Sequence, residues 1–253
     1  MIDFFIGLSP LLQTVIACMF TLFLTMLGAS IVFLIRDYKS KIMDCFISIS
    51  AGIMLSSSIF SLIFPAINLL GDGKRDAATI LSLGIFLGGL ILFLIEKWNF
   101  NKSKVTNLLI PIMLHNFPEG MAIGVAFASV FYYDSLTVFS ALLVALGIGI
   151  QNIPEGAAIS VPLYNMGYSR FKAFIVGGFT AIVEPLGGIV GALIAVKYPV
   201  MLPFLLSFAA GSMIYSLCIE MIPSVMQNKN KELMALYLIV GFVIMLFLDI
   251  ALG

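Results

Sequence analysis

The chain has 253 residues, of which 61% are hydrophobic and only 10% are charged, whereas roughly a quarter of the residues in an ordinary soluble domain are charged. This composition argues against a water-soluble fold. Thirteen Lys and Arg residues balance thirteen Asp and Glu residues, so no basic surplus exists to neutralise phosphates, and we expect no nucleic-acid partner. The composition indicates a protein whose main partner is the lipid bilayer.

Apolar runs long enough to cross a membrane follow one another along the chain. A helix needs about 20 mostly apolar residues to cross the hydrocarbon core, and short polar stretches divide this sequence into eight such runs. We therefore predict an all-α integral membrane protein with eight transmembrane helices in one domain, residues 1–253. The predicted spans 1 to 8 are approximately Phe4 to Ile35, Cys45 to Leu70, Ala77 to Ile95, Val105 to Phe131, Leu136 to Tyr168, Ala173 to Val196, Pro199 to Met226 and Leu233 to Ala251.

The Lys and Arg residues of the loops are divided unequally between the two sides of the membrane. When the loops are assigned alternately, one side receives ten of these residues and the other side three. Because cytoplasmic loops carry the excess of Lys and Arg, we predict a cell-membrane protein with both termini extracytoplasmic. The cytoplasmic set is Arg36, Lys39, Lys41, Lys97, Lys102, Lys104, Arg170, Lys172, Lys229 and Lys231, and the outer set is Lys74, Arg75 and Lys197.

Ionisable residues remain inside the spans after the loops are assigned. They are Glu119, Glu155, Glu184, Glu220 and the single histidine, His115. One such group costs about 2.5–3.5 kcal/mol at the bilayer centre on insertion scales, so it normally faces a cavity or a partner. Four carboxylates without a Lys or Arg inside the spans indicate that a bound cation or protons supply the positive charge.

A nine-residue motif occurs twice, once in span 4 and once in span 5. The segments are 115–123 (HNFPEGMAI) and 151–159 (QNIPEGAAI), and six of the nine aligned positions are identical. Consecutive spans run in opposite directions across the membrane. The duplication therefore indicates an inverted repeat, which in transporters places a binding site near the middle of the bilayer.

The spacing within each motif puts two potential ligands on one helix face. His115 and Glu119 are four residues apart, as are Gln151 and Glu155, and residues at this spacing are neighbours on a helix surface. The motif prolines should bend each helix, and the glycines that follow should allow close helix packing. Imidazole, carboxylate and amide groups suit zinc, iron(II), manganese or cadmium. We therefore expect a divalent transition-metal site.

Other residues allow more than one interpretation. Asn116 and Asn152 either bind the metal or form hydrogen bonds between helices. Glu184 is followed by a proline in a third span and is expected to take part in the ion pathway, whereas Glu220 either lines a solvated mouth or acts as a ligand. Met54 is one of 14 methionines, and its position alone indicates only packing.

These motifs resemble those of the ZIP family of metal-ion transporters, in particular its bacterial-type members, which carry H-N-x-P-E-G in the fourth helix and x-N-x-P-E-G in the fifth. The resemblance extends along the whole chain. Further similar segments are 51–54 (AGIM) with Pro65, 183–187 (VEPLG), and 209–213 (AAGSM) with Glu220 and Pro223.

The resemblance implies an eight-helix fold in a 3+2+3 arrangement, with both termini outside and metal import toward the cytoplasm. It also implies a homodimer and an elevator-like sliding of helices 1, 4, 5 and 6 against a scaffold. Zinc or a related metal ion is then the cargo, and no resident cofactor is expected. The metal ligands implied by the resemblance are His115, Asn116, Glu119, Gln151, Asn152, Glu155, Glu184 and Met54.

The sequence departs from many relatives at three places. Gln151 stands where many have histidine, which should weaken binding and broaden selectivity. Asn152 stands where members that bind two metals have aspartate, so a second subsite loses a charge. The loop 99–104 is short and lacks the histidines that many eukaryotic members carry there, so this loop does not buffer metal.

Two other functions remain open on the sequence. A proton or small-cation channel would use the glutamates as a relay. An intramembrane metalloenzyme would use similar ligands to activate water, but zinc peptidases of the H-E-x-x-H type need two histidines on one helix, and this chain has one histidine in total. We therefore expect a transporter and not an enzyme.

Overall fold

The computed structural model describes residues 5–34, 41–70, 74–98, 104–132 and 137–252. Within these ranges every regular element is helical, which confirms the all-α prediction. Part of the predicted loop charge lies outside the described residues, namely Arg36, Lys39 and Lys102, and so does most of the loop 99–104.

Eight long helical runs correspond to the eight predicted spans in the described ranges. Several runs combine α-helix with short 3-10 or π segments. Span 1 is Pro10–Ala29 with Ser30–Phe33; span 2 is Lys41–Ser56, Ser57–Ile63 and Phe64–Leu70; span 3 is Lys74–Trp98; span 4 is Lys104–Ser129; span 5 is Val138–Asn165; span 6 is Arg170–Phe179, Thr180–Ile182 and Val183–Lys197; span 7 is Pro199–Met201, Leu202–Ser216, Leu217–Met221 and Ile222–Met226; and span 8 is Lys231–Leu252.

Seven of these runs, all except span 4, are long and apolar enough to cross a membrane by length and composition. Span 4 is 26 residues long and carries the first copy of the polar motif. Spans 3 and 8 lie at the periphery, because only 17% of their most apolar window is buried, against 67% for spans 2 and 7. Both motif helices are largely enclosed, because residues 118–129 of span 4 are all buried and 56% of the most apolar window of span 5 is buried.

Hydroxyl side chains define where three of the helices begin. The Ser9 side chain accepts a hydrogen bond from the backbone N–H of Leu12, and Ser169 does the same for Lys172. Thr137 and Ser140 form a reciprocal capping box at the start of span 5. These contacts satisfy backbone donors that the first turn of a helix leaves without a partner.

The spans pack most extensively in four pairs: 4 with 6, 1 with 5, 3 with 7, and 2 with 8. These pairs are related by an exchange of the two halves of the chain, in which span 1 is replaced by span 6, span 2 by span 7, span 3 by span 8 and span 4 by span 5, and the reverse. Under this exchange the pair of spans 4 and 6 becomes the pair of spans 5 and 1, and the pair of spans 3 and 7 becomes the pair of spans 8 and 2. The two π segments are also equivalent under this exchange. Ser57–Ile63 in span 2 precedes Pro65, and Leu217–Met221 in span 7 precedes Pro223. The packing confirms the inverted repeat of three, two and three helices.

Glycines bring the motif helices into backbone contact with their partners, as the sequence predicted. A Cβ atom on Gly120 would overlap the backbone of Glu184 in span 6, and one on Gly156 would overlap the backbone of Thr25 in span 1. Small residues allow such close approach between membrane helices. Because Gly120 and Gly156 occupy the same position in the duplicated motif, Glu184 and Thr25 occupy equivalent positions in the two halves.

Two further glycines, on spans 6 and 1, make equivalent backbone contacts with the motif helices. Gly187 in span 6 lies against the backbone of Phe117, and Gly28 in span 1 lies against the backbone of Ile153. Each contacted residue is the one just before the motif proline. The two halves therefore correspond at the level of individual backbone contacts.

Candidate metal site

The predicted ligands lie in the protein interior. Seven of the eight are buried, with at most 7% of the residue exposed, and the side chain of Glu155 is 12% exposed. The buried seven are Met54, His115, Asn116, Glu119, Gln151, Asn152 and Glu184.

Spans 4 and 5 meet through a carboxylate and an amide. The Gln151 side chain donates a hydrogen bond from Nε2 to Glu119 Oε1, and both groups are buried. Glu119, the second ligand of one i, i+4 pair, thus contacts Gln151, the first ligand of the other pair. This contact brings the two i, i+4 pairs to a common place.

His115 lies between two carboxylates. Its Nε2 atom is 3.4 Å from Glu155 Oε1 on span 5, and its Nδ1 atom is 3.4 Å from Glu220 Oε2 on span 7. The sequence left the role of Glu220 open, and the structure places it beside the imidazole. The local reason is the π segment Leu217–Met221, which carries Glu220 and changes the direction in which its residues project.

Glu184 is held by neutral donors from two other spans. The hydroxyl of Thr21 in span 1 donates to Oε2, and Asn152 Nδ2 donates to Oε1 at 2.7 Å. Sequence reasoning missed Thr21, because a threonine in an apolar run gives no signal of its contact with another span.

Several buried polar atoms at this place have no hydrogen-bond partner among the described residues. Such atoms are rare in proteins and call for an explanation. Apart from the atoms in the 3.4 Å contacts of His115, those on the predicted ligands are both amide atoms of Asn116, Glu119 Oε2, Gln151 Oε1 and Asn152 Oδ1.

Met54 differs from the polar predicted ligands because it lies in an apolar cluster. Its residue is 3% exposed, and it belongs to the largest apolar core cluster together with Met121 and Met213. Its backbone carbonyl accepts a hydrogen bond from Ser58 at 2.8 Å. The structure thus buries Met54 within the membrane interior, as both the packing and the ligand interpretations require.

As the side chains stand, no group of three or more His, Cys, Asp and Glu residues within the described ranges is arranged to hold a metal ion. The amide NH₂ groups of Gln151 and Asn152 point at Glu119 and Glu184 and donate hydrogen bonds to these carboxylates. A half-turn of either amide would exchange its NH₂ group for its oxygen. The same residues can therefore switch from holding a carboxylate to offering a ligand oxygen.

Membrane-crossing helices around a buried imidazole, carboxylates and amides define a membrane protein that handles a cation. The family model described as ZIP zinc transporter matches residues 96–249. The zinc transporter ZIP11 of Xenopus tropicalis is 28% identical over 98% of this chain and 99% of its own length. The zinc transporter GufA of Myxococcus xanthus is 32% identical over 90% of this chain and 94% of its own length, and the zinc transporter ZIPB of Bordetella bronchiseptica is 33% identical over 90% and 78%. The chain belongs to the ZIP family.

Proposed function

We propose that this protein carries zinc, and related divalent transition-metal ions, across the cell membrane into the cytoplasm through the site on spans 4 and 5. Family membership supports transport as the activity, and we propose transport in place of catalysis. The names of the relatives support zinc as the main cargo.

The set of buried ligand atoms without hydrogen-bond partners carries this proposal. Oxygen atoms of Glu119, Gln151 and Asn152 are buried and accept no hydrogen bond from the described residues. Burying such acceptors without a donor is unfavourable. A dication satisfies several of them at once, and a mixture of imidazole nitrogen with carboxylate and amide oxygens is suited to zinc and its neighbours.

We propose that the ion is held by groups from spans 2, 4, 5 and 6, which replace the contacts that these groups now make with one another. The amides of Gln151 and Asn152 would turn their oxygens toward the ion and release the carboxylates of Glu119 and Glu184. The proposed ligands are Met54, His115, Asn116, Glu119, Gln151, Asn152, Glu155 and Glu184.

The helix pairs support a proposal for how the site moves. Spans 4 and 6, and spans 1 and 5, form the close pairs that contain the motif glycines, while spans 3 and 7, and spans 2 and 8, form the other two pairs. We propose that spans 1, 4, 5 and 6 slide as one body against the others within a single membrane domain. We further propose a homodimer with both termini on the outer side.

Zinc uptake into proteoliposomes tests the transport proposal. Wild-type protein is expected to accumulate zinc, and Glu119→Gln is expected to lose most uptake and most zinc binding measured by calorimetry. Glu96→Gln is the matched control, because Glu96 accepts a hydrogen bond from Tyr215 at 2.7 Å in spans 3 and 7 and is not a proposed ligand.

His115→Ala extends this test to the imidazole. It is expected to weaken zinc binding strongly, because the carboxylates and amides alone form a harder ligand set. Proton flux without zinc uptake in the wild type would contradict the proposal and support the channel alternative. Equal loss in Glu119→Gln and Glu96→Gln would contradict the assignment of the site.

A further inference from the structure

A hydroxyl group on span 2 contacts the backbone of the motif on span 5. Ser50 Oγ donates a hydrogen bond to the backbone oxygen of Gln151 at 3.0 Å. Ser50 is 0% exposed and Gln151 is 2% exposed, so water does not compete for this bond. Ser50 is not among the residues that the sequence motifs single out.

This carbonyl belongs to the helical turn that carries three proposed ligands, Gln151, Asn152 and Glu155. In an α-helix the carbonyl of Gln151 accepts the N–H of Glu155, four residues later. The N–H group that Pro154 lacks would have bonded the carbonyl of Ile150, so this turn has one helical hydrogen bond fewer than usual. The hydroxyl of Ser50 supplies a bond from outside the helix at the next carbonyl.

Ser50 also fixes the position of span 2 relative to this turn. Ser50 and Met54 are four residues apart, so they lie on the same face of their helix. A bond from Ser50 to span 5 therefore orients the face that carries Met54 toward the turn that carries Gln151 and Glu155. One contact therefore links the position of Met54 to the turn that carries Gln151, Asn152 and Glu155.

We propose that Ser50 is a positioning residue of the transport site, which holds the turn from Gln151 to Glu155 in place and aligns Met54 with it. This inference rests on the proposed function. It predicts that loss of the hydroxyl changes both the affinity for metal and the preference between soft and hard metals.

Calorimetry of zinc, cadmium and manganese binding to the purified full-length protein tests this role in Ser50→Ala. Because the Gln151 carbonyl keeps its helical donor, the variant leaves no buried carbonyl without a partner and is expected to fold. Loss of one neutral hydrogen bond that orders the site should weaken zinc binding about fivefold. Cadmium binding should fall more than manganese binding, because cadmium gains more from a well-placed thioether.

Ser48→Ala is the matched control. Ser48 lies on the same helix and is also 0% exposed, but its hydroxyl donates at 2.8 Å to the backbone oxygen of Asp44 in its own helix. Its metal affinities should equal those of the wild type. Ser50→Thr, which keeps the hydroxyl, should restore wild-type affinity if thermal unfolding shows that the extra methyl group is accommodated.

Three outcomes would overturn the role of Ser50. One is unchanged metal affinity in Ser50→Ala. If the maximal uptake rate then rises, the hydrogen bond only resists movement of the helices and does not position ligands. Another is an equal loss in Ser50→Ala and Ser48→Ala. The third is an equal fall for cadmium and manganese. Failure of the proposed function is recognised separately, because wild-type protein would then not bind zinc in a manner that Glu119→Gln abolishes.

Discussion

Gly120→Ala tests whether backbone contact between spans 4 and 6 positions the site. A Cβ atom at Gly120 would lie too close to three backbone atoms of Glu184, its oxygen, carbonyl carbon and Cα. Backbone atoms cannot rotate away as a flexible side chain can, so span 6 must move outward. Overpacking of this kind costs about 1–3 kcal/mol, and the displacement also carries the Glu184 carboxylate away from Thr21 and Asn152.

The assays are thermal unfolding in detergent and zinc uptake into proteoliposomes. Gly120→Ala is expected to lower the melting temperature by several degrees and to reduce uptake strongly. Gly89→Ala is the matched control, because the nearest atoms to a Cβ there lie at ordinary contact distances of 3.6 and 3.7 Å. Alanine also favours helix over glycine by up to about 1 kcal/mol, so this control should be neutral or slightly stabilising. Equal stability and equal uptake in the two variants would refute the packing argument.

Three further predictions concern topology, selectivity and the carboxylate on span 6. A cysteine introduced at Ser103 should react only from the cytoplasmic side and one at Ser135 only from outside; both positions lie outside the described residues, and labelling of both from the same side would overturn the eight-span topology. Gln151→His should tighten zinc binding and lower the relative transport of manganese, because an imidazole favours zinc; unchanged zinc affinity in calorimetry would show that residue 151 does not face the metal. Thr21→Val removes a donor to Glu184 and should weaken zinc binding several-fold at nearly constant side-chain size; wild-type affinity would show that Glu184 needs no support from span 1.

Local sequence patterns were sufficient for the parts of the fold that depend on hydrophobicity and on the duplicated motif. The spans follow from apolar length, and the close packing at Gly120 and Gly156 follows from the small residue after each P-E pair. The contact of Gln151 with Glu119 could also be predicted, because the inverted repeat brings the first ligand position of one motif opposite the second ligand position of the other, as it also does for His115 and Glu155. Each of these features depends on residues within one span or on the comparison of the two motif copies.

Other features depend on packing between helices distant in sequence. The approach of Glu220 to His115 requires the π segment Leu217–Met221, whose wider turn leaves no periodic signal in an apolar run. The support of Glu184 by Thr21 joins positions 163 residues apart, and the bond from Ser50 to Gln151 joins positions 101 residues apart. Serine and threonine are common in membrane helices, so their partners cannot be chosen from one sequence alone.

The correspondence between Glu184 and Thr25 separates the symmetry of the backbone from the symmetry of the charge. The two halves present matching helices and matching glycine contacts, yet one half offers a carboxylate where the other offers a hydroxyl. A carboxylate can carry a full negative charge or a proton, whereas a hydroxyl offers only a dipole, so the electrostatic field that the two halves can set up around the pseudo-two-fold axis is asymmetric. The asymmetry that is missing from the paired backbone contacts is therefore supplied by this single difference in side chain.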